Sequence, residues 1–263
     1  RALLTLANGA TIALSDTATG EIAQQQGVRI LQTAGGQLIY TIPETAAAED
    51  TTQPVYNTIS TPKSGQFQVH LPDGSKVWLN TASSLRYPPR FGTRERKVEL
   101  TGEAYFEINA DKERPFFVIT AQQKVAVLGT HFNITAYPDV NTTTTTLLTG
   151  SIRISGAGTA TAILKPGQQA VVDEHIRVSA VDPAEAVAWK NGYLLFDNED
   201  FTTIMSRIAR WYDMEIEYQV TPGRIKLGGR VSLSRKLPDV LSALETAAHV
   251  HFRLSGKKIV VME

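Results

Sequence analysis

The sequence predicts a mainly β protein in two parts: an all-β N-terminal domain of stacked short strands, sandwich- or solenoid-like, followed by a small α+β domain. Three observations carry that expectation. Short alternating runs separated by turn glycines fill most of residues 1–181. The character changes after Val181-Asp182-Pro183, where stretches of helical period enter. From Tyr193 onward the pattern reads β-α-β-β-α-β-β, a self-contained order. The expected domains are therefore residues 1–182 and 183–263.

Within the β part, Leu6–Leu14 (LANGATIAL), Thr33–Thr41 (TAGGQLIYT) and Leu71–Leu79 share one plan: an apolar lead, a glycine turn, then alternation. The third is the plainest. In SGQFQVHLPDGSKVWLN, Phe67, Val69, Leu71, Val77 and Leu79 share one parity, while Gln66, Gln68, His70, Lys76, Trp78 and Asn80 share the other. Two strands with one buried face follow. Pro72 presets φ at the first turn position and Gly74 takes the left-handed position of a type I turn plus bulge, which makes the stretch a β-hairpin. Residues 43–54 (PETAAAEDTTQP) carry little apolar weight and read as an exposed, mobile loop. Leu100–Ile108 (LTGEAYFEI) and Leu148–Ile154 (LTGSIRI) both place Leu-Thr-Gly at the head of a strand. Further strands are expected at 97–100, 116–120, 124–128, 131–137, 143–148, 169–173 and 176–181. Irregular spacing between like motifs weakens a regular solenoid.

In the α+β part, a short helical run at Ala184–Trp189 precedes a strand at Tyr193–Phe196. DNEDFTTIMSRIARWYD then puts Phe201, Ile204, Met205, Ile208 and Tyr212 on one helical stripe, with acids in the first turn. Strands follow at Met214–Gln219 and Lys226–Leu233. Pro238-Asp239 opens a second helix whose apolar face is Leu237, Val240, Leu241, Leu244 and Ala248. Two last strands, His249–Leu254 and Lys258–Met262, are joined by Ser255-Gly256.

Composition limits function. Lys+Arg and Asp+Glu are equal at 26, so no global field recruits nucleic acid or a membrane surface. The absence of cysteine excludes disulfides, thiolate metal sites and a cysteine nucleophile. No apolar run approaches the roughly 20 residues that span a bilayer. The first residue is Arg1 with no Met, so the chain reads as an excised fragment, and a signal or transmembrane helix is expected upstream of it.

Catalysis finds no anchor in the sequence. HExxH, GxSxG, a P-loop and GxGxxG are all missing. His249 and His251 are two apart and would share a strand face, enough for two metal ligands, but no third ligand is near in sequence. His131 lies opposite in parity to Phe132 and Ile134. Glu103 and Glu107 share a strand face roughly 13 Å apart, too far for either common glycosidase geometry. Trp78 and Tyr105, of solvent-facing parity, could stack on a sugar. The expectation is no enzyme, no cofactor and no metal. One charge pattern remains. PGRIKLGGRVSLSRK (222–236) carries Arg224, Lys226, Arg230, Arg235 and Lys236 with no acid, which is either a solvated outer face or a basic edge for an acidic protein partner.

LPDGSKVWLNTASSLRYP, RKVELTGEAYFEI, RPFFV, VLGTHFNITAY, LLTGSIRIS, LKPGQQA and VAWKNGYLLFDNEDFTTIMSRIARWYD, in that order, carry a resemblance. Over nearly its whole length the chain resembles the periplasmic part of FecR-type anti-sigma factors, the inner-membrane members of cell-surface signalling systems in Gram-negative bacteria. The resemblance implies a periplasmic β-rich domain and a C-terminal domain similar to the short N-terminal domain of secretins and TonB-dependent receptors. It also implies a cytoplasmic segment that grips an extracytoplasmic-function sigma factor and a transmembrane helix, both outside these residues. A TonB-dependent outer-membrane receptor would bind a ferric siderophore or a glycan, and its periplasmic signalling domain would contact the C-terminal region. Proteolysis would then free the sigma factor. In this light Asp73 and Gly74 are turn makers, Val77 and Leu79 core, and Asn80 and Ser84 caps of the next corner.

For the receptor contact, the two strand edges expected in the α+β part are Lys258–Met262 and Lys226–Leu233. The partner-binding set is Arg207, Arg210, Arg224, Lys226, Arg230, Lys258, Ile259 and Val261. The alternative reading is a carbohydrate-binding or adhesive β module that uses Trp78 and Tyr105.

Overall fold

The computed structural model describes residues 1–263 except 15–18, 26, 35–36, 42–54, 157 and 222. The loop expected at 43–54 and the glycine turn of Thr33–Thr41 lie outside the described residues. The chain divides into two compact units, Arg1–Pro183 and Ala184–Glu263.

The first unit is built of β1 (Leu3–Thr5), β2 (Thr11–Ala13), β3 (Gly20–Gln25), β4 (Val28–Gln32), β5 (Leu38–Thr41), β6 (Asn57–Ser60), β7 (Phe67–His70), β8 (Lys76–Leu79) and β9 (Ser84–Tyr87), then β10 (Arg96–Glu107), β11 (Phe116–Ile119), β12 (Lys124–Val127), β13 (His131–Ala136), β14 (Thr143–Thr149), β15 (Ile152–Ser155), β16 (Thr161–Leu164), β17 (Gln168–Val172) and β18 (Ile176–Ala180). They form two sheets that share one strand. The first runs β2-β1-β6-β9-β10-β11-β12-β15-β16. The second runs β3-β4-β5-β7-β8-β10-β13-β14-β17-β18. Pairing is antiparallel except at β10–β11 and β5–β7, so the unit is a stack of meandering sheets, without the parallel coils of a solenoid.

One buried cluster draws on both sheets, with Leu4, Ile59, Leu85, Val98 and Phe116 from the first and Val28, Ile30, Val77, Phe106 and Phe132 from the second. Each such side chain fully buried contributes about 1.5–3 kcal/mol. The strands expected separately at 97–100 and 100–108 are one strand, β10. Residues 96–101 of it pair with β11 and β9 in the first sheet, and residues 102–107 with β8 and β13 in the second. Gly102, at the crossing, has φ +92°, and a Cβ there would lie 2.6 Å from Ser83 Cα. Only glycine lets the strand change sheets at this point.

The Pro72-Asp73-Gly74 corner is the expected hairpin. Gly74 has φ +79°, its N–H donates to Leu71 O at 2.9 Å, and Leu71 N–H donates to Ser75 O at 2.8 Å. Val77 and Leu79 are fully buried.

Helix α1 (Pro183–Val187) starts at the boundary, and the second unit continues through a 3-10 turn at Ala188–Asn191, β19 (Tyr193–Asp200), α2 (Phe201–Tyr212), β20 (Glu215–Tyr218), β21 (Lys226–Ser232), α3 (Leu237–Ala248), β22 (His251–Ser255) and β23 (Lys258–Met262). The order from Tyr193 is the expected β-α-β-β-α-β-β. Helix α2 buries Phe201, Ile204, Met205, Ile208 and Ala209, and α3 buries Val240, Leu241, Leu244 and Ala248. They share one core with Leu194, Phe196, Ile259 and Val261. Two expectations change here. The acids at 197–200 do not occupy the first turn of α2: they end β19, and Asp200 is the N-cap residue. His249 is the left-handed C-cap of α3 (φ 52°) and His251 opens β22, so the two histidines do not share a strand face.

Candidate functional site

The residues that looked most like chemistry hold the first unit together. Asp73, in the hairpin turn, accepts from Ser75 N–H at 3.0 Å and Ser75 Oγ at 2.8 Å, closing an Asx turn. Its second oxygen meets the Arg96 guanidinium at 2.7 Å, with side-chain exposures of 6% and 1%. Arg96 also donates to the carbonyls of Arg114 and Asn109, and Asn109 donates back to Asp73 O. The turn is therefore tied to the start of β10 and the chain beyond it by a buried ion pair.

Glu103 has a comparable role. Asn80 Nδ2, Asn133 Nδ2 and Thr135 Oγ1 donate to its carboxylate at 2.8, 3.0 and 3.1 Å, across β8, β10 and β13. Asn80 caps the corner after β8 by accepting from Thr81 N–H. Ser83, rather than Ser84, completes that corner: its hydroxyl accepts from Glu103 N–H, while Ser84 pairs within β9. Trp78 and Tyr105 are cross-strand neighbours with ring centroids 5.5 Å apart. Tyr105 is only 6% exposed, and burial with the Glu107 carboxylate pushes its hydroxyl up to about 12. A ring buried to that degree cannot offer its face to a sugar. Among the described residues no cluster of three His, Cys, Asp or Glu could hold a metal ion.

The cations singled out in the second unit fall into three situations. Arg207, on α2, is committed internally: it donates to Leu195 O at 3.1 Å and to Glu199 at 2.7 Å, and it lies beside the Phe196 ring. Arg210 is half-buried on the same helix. Arg224, Lys226 and Arg230 are exposed. Lys226 lies 3.7 Å from Asp200 across the β19–β21 pair, and the Arg230 guanidinium sits 3.6 Å over the Tyr193 ring. Within the acid-free stretch, Lys226 thus meets an acid that β19 supplies, a partner that only pairing reveals.

The strand edges differ from expectation. β23 pairs with β20 in parallel on one side and with β22 antiparallel on the other, so it is the central strand of its sheet. Ile259 and Val261 are fully buried in the core. Neither their amides nor their side chains can receive a partner strand, and Lys258 is held by Glu217 at 3.2 Å. β21 pairs only with β19 among the described residues, and its other edge is open. Leu233 N–H donates to Gly192 O at 2.9 Å on the β19 side, so by strand alternation the amides of Arg230 and Ser232 face that open edge. Gly228 and Gly229 leave part of the strand without side chains.

Comparison with known proteins adds two kinds of likeness. Residues 57–153 match the family model described as FecR protein, and residues 193–261 match the one described as FecR, C-terminal. Two crystal structures of a candidate anti-sigma factor from Parabacteroides distasonis are similar to this chain at 29% identity. One covers 78% of this chain and 98% of its own with a TM-score of 0.74, and the other 80% and 99% with a TM-score of 0.75. No curated protein matches.

Proposed function

The chain belongs to the FecR family, and from that premise we propose that it is the periplasmic, signal-receiving region of an anti-sigma factor. The observation that carries the reading is the coincidence of two FecR matches, in order, with two compact units, one of stacked sheets and one α+β. In this reading a TonB-dependent outer-membrane receptor presents its periplasmic signalling domain to the second unit. The message passes to an extracytoplasmic-function sigma factor held by a cytoplasmic segment of the same protein, beyond an inner-membrane helix that these residues do not include. No helix among the described residues is long and apolar enough to cross a membrane.

The contact we propose is the open edge of β21, flanked by Arg224, Lys226 and Arg230. A partner strand added there gains main-chain hydrogen bonds, and the flanking cations steer an acidic partner. Arg207 is left out because its charge is already spent on Glu199, and β23 is left out because both its edges are occupied.

Surface plasmon resonance of the 263-residue chain against a cognate receptor signalling domain tests this. Arg224→Glu with Arg230→Glu should slow association and flatten its salt dependence, because rim charges act mainly on the encounter rate. Ser232→Pro removes an edge-facing amide from a strand that tolerates proline at its rim, and should speed dissociation at an unchanged melting temperature. Unaltered kinetics in both folded variants would move the contact off β21.

A further inference from the structure

The outer face of the first sheet carries a second cationic surface, remote in sequence from the first. Across five strands the register aligns Lys97, Phe117, Ala126, Arg153 and Ile163. Their neighbours in sequence (Val98, Phe116, Val118, Val125, Val127, Ile152, Ile154 and Leu164) are core residues, so this row faces outward. The small Ala126 leaves a depression in the row. It opens as a cleft of about 430 Å³ bounded by Pro115, Phe117, Leu128, Arg153 and Ile163, within the range of ligand-sized sites. Leu128 is 49% and Ile163 63% exposed, unusually high for aliphatic side chains standing together.

Arg153 is the charged residue that lines the cleft, and Lys97 and Lys124 stand on the same outward face. Lys124 Nζ sits 3.9 Å over the Phe117 ring, and neither Lys97 nor Arg153 forms a salt bridge among the described residues. Two carboxylates on this side are occupied: Glu99 pairs with Arg86 at 2.9 Å, and Asp111 pairs with Arg114 at 2.8 Å while its N–H donates to Leu128 O. Glu113 stands in an exposed bend before Pro115. Lys97 and Arg153 are three inter-strand steps apart, roughly 14 Å at the spacing of neighbouring strands. That is wider than one small carboxylate can bridge, and it suits a chain carrying several.

We propose that this face docks an extended, acidic segment of a partner protein, with one leucine- or phenylalanine-sized side chain seated over Ala126 and carboxylates on Lys97, Lys124 and Arg153. The cleft supplies the apolar anchor and the cations supply register.

Fluorescence polarisation of the 263-residue chain with a labelled nine-residue peptide, alternating Asp or Glu with Leu or Phe, provides the test. It should bind, and replacing its Leu and Phe by Ala, or its acids by Lys, should weaken binding at least tenfold. In the protein, Arg153→Glu should weaken it at least tenfold and Ile163→Ser at least threefold, both at exposed positions and with melting temperatures unchanged. Arg224→Glu with Arg230→Glu should leave it unaltered, which separates this surface from the β21 edge. Absence of binding, equal binding of the Ala peptide, or indifference to Arg153→Glu would each overturn the proposal. Displacement of the peptide by phosphatidylglycerol vesicles would overturn it in favour of a membrane surface.

Discussion

Asp73→Ala is the most informative single change in the first unit. It deletes the carboxylate that faces Arg96 at 2.7 Å and leaves a guanidinium that is 1% exposed with a charge and no counter-ion. Arg96 keeps its bonds to the carbonyls of Arg114 and Asn109, but these are dipoles and do not neutralise it. Breaking one side of a buried ion pair costs about 3–5 kcal/mol, because the surviving charge keeps its desolvation penalty. The same substitution removes the acceptor for Ser75 N–H and Ser75 Oγ, which adds in the same direction. For a unit of this size each kcal/mol lowers the melting temperature by about 2–4 °C, so a fall of roughly 6–20 °C is expected. Thermal unfolding followed by circular dichroism measures the fall, urea unfolding measures the free-energy loss, and Glu99→Ala is the control. That change breaks an Arg86–Glu99 pair of nearly equal length at 45% and 38% exposure, and should cost no more than about 1 kcal/mol. Adding Arg96→Met to Asp73→Ala should restore part of the loss by removing the orphaned charge, giving a favourable coupling in the double-mutant cycle. If Asp73→Ala unfolds within about 1 kcal/mol of wild type, the pair is not desolvated and the reasoning fails.

Three further outcomes are expected. Gly74→Val should cost about 1–3 kcal/mol from strain at φ +79°, with added crowding against Asn109 Nδ2 at 2.9 Å; an unchanged melting temperature would refute the left-handed turn. His70 should titrate below its ordinary 6.5 in an NMR titration, owing to burial first and the cross-strand Lys76 charge second, and Lys76→Gln should raise it. Since the folded value is depressed, the associated stability is present above pH 6.5 and is lost as pH falls through the folded value, so a raised His70 titration would contradict the structure. Residues 184–263 expressed alone should fold with mixed helix and strand by circular dichroism, since Leu194, Phe201, Ile208, Leu244 and Val261 form a core within that unit.

Much of this fold was legible because its signals are local. The parity of Val77 and Leu79 fixed which face of the hairpin is buried, and Pro72-Asp73-Gly74 fixed the turn. The stripe from Phe201 to Ile208 fixed the inner side of α2. What stayed hidden depends on which strands are neighbours. Period-two alternation reports a face and says nothing about whether a strand has one partner or two, so β23 passed for an edge when it lies between β20 and β22. Gly102 read as the head of a strand, although it is the bend within β10, because the reason for it is the approach of Ser83, nineteen positions earlier. Arg96 carried no sequence signal at all. Its partner Asp73 was explained sufficiently by the turn, and a long-range ion pair leaves no periodicity. The row from Lys97 to Ile163 was hidden for the same reason, since its members come from five strands.

The two cationic surfaces differ in what would hold a partner, and the difference is physical. An open edge such as that of β21 offers amides and carbonyls, so its affinity rests on backbone and is nearly indifferent to the partner's sequence. Gly228 and Gly229 sharpen this, because they contribute no side chain to read. The face around Ala126 has its amides spent in the ladders with β11 and β15, so only side chains can act there, and recognition must depend on the partner's acids and its apolar anchor. Proline and charge reversal therefore sort the two modes: proline in an edge strand damages the first and spares the second, while Arg153→Glu does the opposite.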